Sequence, residues 1–151
     1  MKSNSVSEIT RADALFADGY SCSQAVLMAF ASRLGVEGAA AARVAAGFGG
    51  GIGRQGLTCG AVTGACMALG LCAGCVGSDN ARLKEDAGAR VRLLFERFRA
   101  EHGATACRDL IHYDLSDPAQ HEAARAAGVF ANTCPGFVRT AAAFVAETLK
   151  A

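Results

Sequence analysis

The ten residues Gly47-Phe48-Gly49-Gly50-Gly51-Ile52-Gly53-Arg54-Gln55-Gly56 hold six glycines, and no charged residue occurs from Gln55 to Ser78. Glycine inside a helix or strand costs roughly 0.5–1 kcal/mol relative to alanine, so the first stretch reads as a loop. The second must be shielded from water by protein or by lipid. A lipid span needs about 20 predominantly apolar residues. This segment is interrupted by Gly56, Gly60, Gly64, Gly70, Gly74 and Gly77 and has few large apolar side chains. It therefore reads as a buried helix, from about Thr58 to Gly74, and not as a membrane span.

Composition sets the partners of that helix. The chain has 33 alanines and 18 glycines in 151 residues, aromatics are 7%, and tryptophan is absent. Small side chains suit closely packed helices better than strands, which favour β-branched and aromatic residues. Charged residues are 19% and the net charge is +1, which argues against disorder and against a nucleic-acid-binding surface. The length fits one domain covering residues 1–151.

Helix signals recur along the chain. Ile9, Ala12 and Phe16 form a stripe that Gly19 ends. Ser21-Cys22-Ser23-Gln24 matches a capping box, and Val26, Leu27, Phe30 and Leu34 follow at helical spacing up to Gly35. An alanine-rich helix is expected over about 36–46. Ser78-Asp79-Asn80 supplies the cap of an amphipathic helix, 81–102, with Leu83, Ala87, Val91, Leu94, Phe95 and Phe98 on its apolar face. A short helix is expected after Thr105, another after Asp117-Pro118, ending near Gly128, and a last one after Thr133-Cys134-Pro135. The expectation is an all-α bundle of six or seven helices, with the glycine-rich loop before a buried central helix.

Seven cysteines without a secretory leader do not read as an extracellular disulfide framework. Four of them, Cys22, Cys59, Cys107 and Cys134, fall at expected helix N-termini. Free backbone N–H groups and the helix dipole there favour thiolate over thiol. Cys66, Cys72 and Cys75 lie within or near the end of the uncharged helix and read as small core residues. Cys72-Ala73-Gly74-Cys75 is a CxxC, but at the wrong end of its helix for a redox motif and without a βαβ context. His102, His112 and His121 are scattered; His112 and Asp114, close after Cys107, could assist proton transfer.

Gly47-Phe48-Gly49-Gly50-Gly51-Ile52-Gly53-Arg54, then Cys59-Gly60-Ala61-Val62-Thr63-Gly64, preceded by Gly19-Tyr20-Ser21-Cys22-Ser23-Gln24-Ala25-Val26, resemble the redox-active protein family named for its C_GCAxxG_C_C pattern. The resemblance covers about residues 12–149. It implies that the pattern's cysteines are Cys22, Cys59, Cys107 and Cys134 and that the protein is a cytoplasmic redox protein. A related domain in certain multihaem cytochromes accompanies an iron–sulfur centre, which adds a cluster to the expectations. The resemblance names no substrate.

Two chemistries follow. In thiol–disulfide exchange, Cys59 is the expected principal thiolate, with one of Cys22, Cys107 or Cys134 as resolving partner. Gly49, Gly50, Gly51, Gly53 and Arg54 would offer N–H groups and a cation to a small anionic ligand, and Gly60 and Gly64 would permit close approach. In the alternative, Cys22, Cys59, Cys107 and Cys134 bind zinc or an iron–sulfur cluster. The first reading also requires a redox partner. Both need the four sulfurs to converge.

Overall fold

The computed structural model of the chain describes residues 2–74 and 79–150. Cys75, and with it half of the Cys72–Cys75 pair, lies outside the described residues, as does Ser78. Eight α-helices form the described fold: α1 (Lys2–Ala17), α2 (Cys22–Ala31), α3 (Gly38–Ala45), α4 (Gly60–Gly74), α5 (Asn80–His102), α6 (Cys107–Ile111), α7 (Pro118–Ala126) and α8 (Cys134–Lys150). A 3₁₀ turn over Ala46–Phe48 follows α3, and a π turn over Val129–Thr133 leads into α8. The architecture is all-α, with one or two helices more than the sequence suggested. Among the described residues no helix is long and apolar enough to cross a membrane.

The caps explain most boundaries. Ser21 and Gln24 close a full capping box on α2: the Gln24 N–H donates to Ser21 Oγ at 3.3 Å, and the Ser21 N–H donates to Gln24 Oε1 at 2.9 Å. Asp79 accepts from the Arg82 N–H at 2.9 Å to start α5. Asp117 accepts from the Ala119 N–H at 3.0 Å ahead of Pro118. Left-handed Gly19, Gly35, Gly103 and Gly128 lie where helices stop.

Helix α4 is the centre, packed on α2, α5 and α8. Its uncharged composition is explained by burial: Ala61, Val62, Ala65, Ala68, Leu69, Cys72 and Ala73 are all inside. Gly64 brings α2 into backbone contact, because a Cβ there would stand 2.6 Å from the Ser23 carbonyl oxygen. Ser23 is the one buried polar residue among those described, and its hydroxyl donates to the Ala45 carbonyl at 2.9 Å. Gln24 Nε2 donates to the Ala42 carbonyl at 3.0 Å. These two bonds fix α3, and so the start of the glycine loop, against the first turn of α2.

Candidate functional site

A cavity of about 1050 Å³ opens between the start of α2, the glycine loop, α6, α7 and the start of α8, and Cys22, Cys59, Cys107 and Cys134 all line it. Four segments far apart in sequence deliver those thiols. Cys22 is the first residue of α2, set by the Ser21 cap. Cys59 directly precedes α4, and the Ala61 and Val62 N–H groups act on its sulfur, so the thiol itself takes the capping role. Cys107 opens α6.

An isolated antiparallel bridge, Thr58 to Ala106, joins the second and third of these segments. Its hydrogen bonds run from the Cys59 N–H to the Thr105 carbonyl at 2.8 Å and from the Cys107 N–H to the Leu57 carbonyl at 2.6 Å. Alternate residues of a bridged pair share a face, so Cys59 and Cys107 project diagonally on the same side.

Cys134 departs from its expected setting. The π turn continues into α8, and the Cys134 N–H is already bonded to the Val129 carbonyl. No free helix end faces this sulfur, because the chain entered helical bonding before reaching it. Its thiolate is favoured by a different device. The neighbouring Cys22 side chain outweighs burial and holds Cys134 below the usual thiol value. Cys22 is correspondingly raised, first by the Cys134 side chain, then by burial and by the charges of the neighbouring Cys59, Cys134 and Cys107.

The expected thiolate preference is reversed at the other two positions. Burial pushes Cys59 up to about 12 against the helping Ala61 and Val62 N–H groups, with Cys107 and Cys134 adding to the rise. Burial and then Cys134 push Cys107 up to about 11, opposed by Arg108. Only 4% of Cys59 and 8% of Cys107 is exposed, so desolvation of a full negative charge exceeds what two N–H groups or a nearby guanidinium return. Cys66, half-buried on α4 and away from the cavity, is raised to about 11 by burial.

The glycine loop divides into two roles. Gly49, Gly50, Gly53, Arg54 and Gly60 line the cavity, whereas Gly51 and Gly64 do not. Gly51 packs behind Cys107, whose Cβ would lie 2.8 Å from an added Cβ, and Gly64 packs on α2. From Gly50 to Arg54 every residue has positive φ (67°, 75°, 67°, 59° and 64°), a turn of left-handed backbone that includes Ile52 and Arg54. Hydrogen bonds hold it there, from the Ile52 N–H to the Phe48 carbonyl at 3.1 Å, from Gly53 to Gly47 at 2.8 Å and from Arg54 to Gly49 at 3.1 Å. Left-handed conformation costs a non-glycine residue roughly 1–2 kcal/mol, most for a β-branched one.

His112 and Asp114 are not part of the cavity. His112 is the left-handed residue ending α6, and Asp114 is held by Ser116 and by Arg108 at 3.5 Å. His121 and Arg125 line it instead, along with Tyr20, Phe130 and Arg139. The signal for the first two was present in their spacing of four along α7, which sets them side by side on one helix face. Among the described residues no three His, Cys, Asp or Glu side chains are placed to hold a metal ion. As positioned, then, the four thiols do not fit a zinc or cluster ligand set.

No curated protein and no solved structure gives a significant match to this chain. A family model does, over residues 20–148, a span that takes in the capping box, the glycine loop and all four cavity cysteines. The chain belongs to the C_GCAxxG_C_C family, whose description reads "Putative redox-active protein".

Proposed function

We propose that the protein works by thiol–disulfide exchange, with Cys134 as the attacking thiolate, Cys22 as the resolving thiol, and Cys59 and Cys107 as a second, protonated pair beside them. The observation that carries this reading is the cavity that all four cysteines line, in which Cys134 is lowered and Cys22 raised, each chiefly by the other's side chain. The thiolate is the attacking form in exchange, and a thiol beside it is placed to resolve the mixed disulfide that results. Cys134 would open a substrate disulfide to form a mixed disulfide, and Cys22 would then displace it.

Binding of zinc or an iron–sulfur cluster by the same four cysteines is the alternative. It is favoured by their shared cavity and needs the sulfurs to draw together on a common centre. One experiment separates the two. Protein purified without oxygen is analysed for iron and zinc, and its thiols are counted before and after mild oxidation. Exchange predicts metal-free protein that loses two thiols reversibly, mapped to Cys22 and Cys134. Stoichiometric metal, or thiols that resist oxidation, would overturn it.

A further inference from the structure

The geometry points to a small anionic disulfide as the substrate of the thiol cavity, its negative group held by Arg54 and Arg125 beside His121. This rests on the exchange reading above and adds the substrate class.

Size comes first. Cys59, Cys107 and Cys134 are at most 8% exposed, so their sulfurs are reached only through the cavity. Sulfurs so nearly covered are less accessible to the disulfide of a folded protein than to a small molecule, and about 1050 Å³ accommodates a small organic molecule.

Charge comes second. The ionisable groups lining the cavity, apart from the thiols, are Asp13, Arg54, His121, Arg125, Arg139 and Tyr20. Asp13 is the sole carboxylate among them, and Arg139 already holds it at 3.0 Å. Arg125 has only an exposed partner, Glu122, at 3.5 Å on its own helix. None of the ion pairs among the described residues includes Arg54. Arg54, His121 and Arg125 line the same cavity, and burial together with those two cations keeps the imidazole below its usual value. Two guanidinium groups facing one opening, beside an imidazole able to donate a hydrogen bond, attract a carboxylate or phosphate.

Backbone comes third. Arg54 ends the left-handed run, and its side chain lies along Gly50, where a Cβ would stand 2.9 Å from Arg54 Cγ. A glycine at position 54 would adopt that φ without strain, yet an arginine stands there. Strain retained beside reactive thiols is accounted for when the guanidinium has a ligand to hold.

The electron balance is complete for a single turnover. The Cys134 thiolate attacks one sulfur of RS–SR, forms Cys134–S–SR and expels RS⁻. The Cys22 thiol passes its proton to that leaving thiolate, attacks the Cys134 sulfur and expels the second RS⁻. The protein dithiol loses two electrons to become the Cys22–Cys134 disulfide, and RS–SR gains them as two thiols once the second leaving group takes a proton from water.

The test uses reduced full-length protein and three disulfides of similar size: dithiodipropionate with two carboxylates, bis(hydroxyethyl) disulfide without charge, and cystamine with two ammonium groups. Loss of the Cys22 and Cys134 thiols is followed, and each rate is divided by the rate of mercaptoethanol with the same disulfide. The dianion should exceed the neutral probe by about tenfold and cystamine should be slowest. High salt should narrow the spread, Arg54→Lys should keep the order and Arg54→Glu should invert it. The disulfides of insulin, too large for the cavity, should react no faster than they do with mercaptoethanol. Equal normalised rates for the three small probes, an order that survives Arg54→Glu, or insulin reduction at the rate of the dianion would each overturn the inference.

A second readout is independent of exchange. Thiodipropionate, a thioether with the same carboxylates, should bind the wild-type protein in calorimetry and fail to bind Arg54→Glu. If it binds so while the thiols never exchange, the anion site stands and the exchange reading falls. If the thiols exchange without charge preference and thiodipropionate does not bind, the anion site falls and exchange stands.

Discussion

Cys22 and Cys134, more than a hundred residues apart in the sequence, line one cavity and set each other's acidity, Cys134 lowered and Cys22 raised. Near neutral pH, limiting iodoacetamide should modify Cys134 ahead of the other cavity thiols, as read by peptide mass mapping. A hydrogen bond to a charged acceptor is worth about 1.5–3 kcal/mol, so Cys22→Ala should slow Cys134 labelling by about tenfold. Cys22→Ser keeps a donor and should preserve most of the rate. Labelling of Cys59 first would contradict the assignment of Cys134 as the more acidic thiol.

Oxidation should stabilise the protein. A Cys22–Cys134 bridge closes a loop of more than a hundred residues. The chain-entropy limit for such a loop is about 4–5 kcal/mol, reduced by whatever strain the native geometry adds. Thermal melting of the oxidised form should lie roughly 10 °C above that of the reduced form. The increment should vanish in Cys134→Ser. A lower melting temperature on oxidation would show that the two sulfurs cannot meet without distorting α2 or α8.

Alkaline pH should destabilise the reduced protein. Cys59 is raised to about 12 and Cys107 to about 11 by burial, so the folded state holds protons that the unfolded chain releases near its ordinary thiol value. The stabilisation is fully present below the unfolded value and is lost between that value and the folded one. For a buried thiol the loss is about 1.4 kcal/mol per pH unit over that window. Cys134 runs the other way, since its lowered value supplies stability above the unfolded value that disappears as pH falls through the folded one. Denaturant titrations from pH 8 to about pH 11 should show a falling free energy, with a shallower slope in Cys59→Ala.

Two glycines of α4 should respond in opposite directions. A Cβ at Gly64 would meet the Ser23 carbonyl oxygen at 2.6 Å and Ser23 Cα at 3.0 Å, both backbone atoms that cannot step aside. Gly64→Ala should cost about 1–3 kcal/mol and widen the approach of α2 on α4. Gly70 has nothing within 4 Å of an added Cβ, and Gly70→Ala should stabilise by about 0.5–1 kcal/mol through helix propensity. Denaturation midpoints of the two variants check the pair.

Local chemistry was legible where it is self-contained. The Ser21–Gln24 box, the Asp79 and Asp117 caps and the stops at Gly19, Gly35 and Gly128 each depend on residues within one turn, and each stands in the structure. The grouping of Cys22, Cys59, Cys107 and Cys134 came with the family resemblance as much as with the caps, since Cys134 does not sit at a free helix end. Their electrostatics were not legible, because desolvation is set by what covers a residue after folding. The Thr58–Ala106 bridge joins two single residues and leaves no periodic trace. The π turn ahead of Cys134 was equally silent, since choosing it over an α turn depends on the neighbours of Val129 and Phe130. Glycine density marked the loop, but the recruitment of Ile52 and Arg54 into its left-handed run opposes their own preferences and is imposed by hydrogen bonds from elsewhere in the loop.

Cys134 sits on α8, while Cys22, Cys59 and Cys107 lie on segments that precede it in the sequence. A fragment that stops before α8 therefore lacks Cys134, and Cys22 in it has no partner with which to form a disulfide. The thiol site is thus assembled only when segments more than a hundred residues apart have folded together, and no contiguous stretch of sequence carries it.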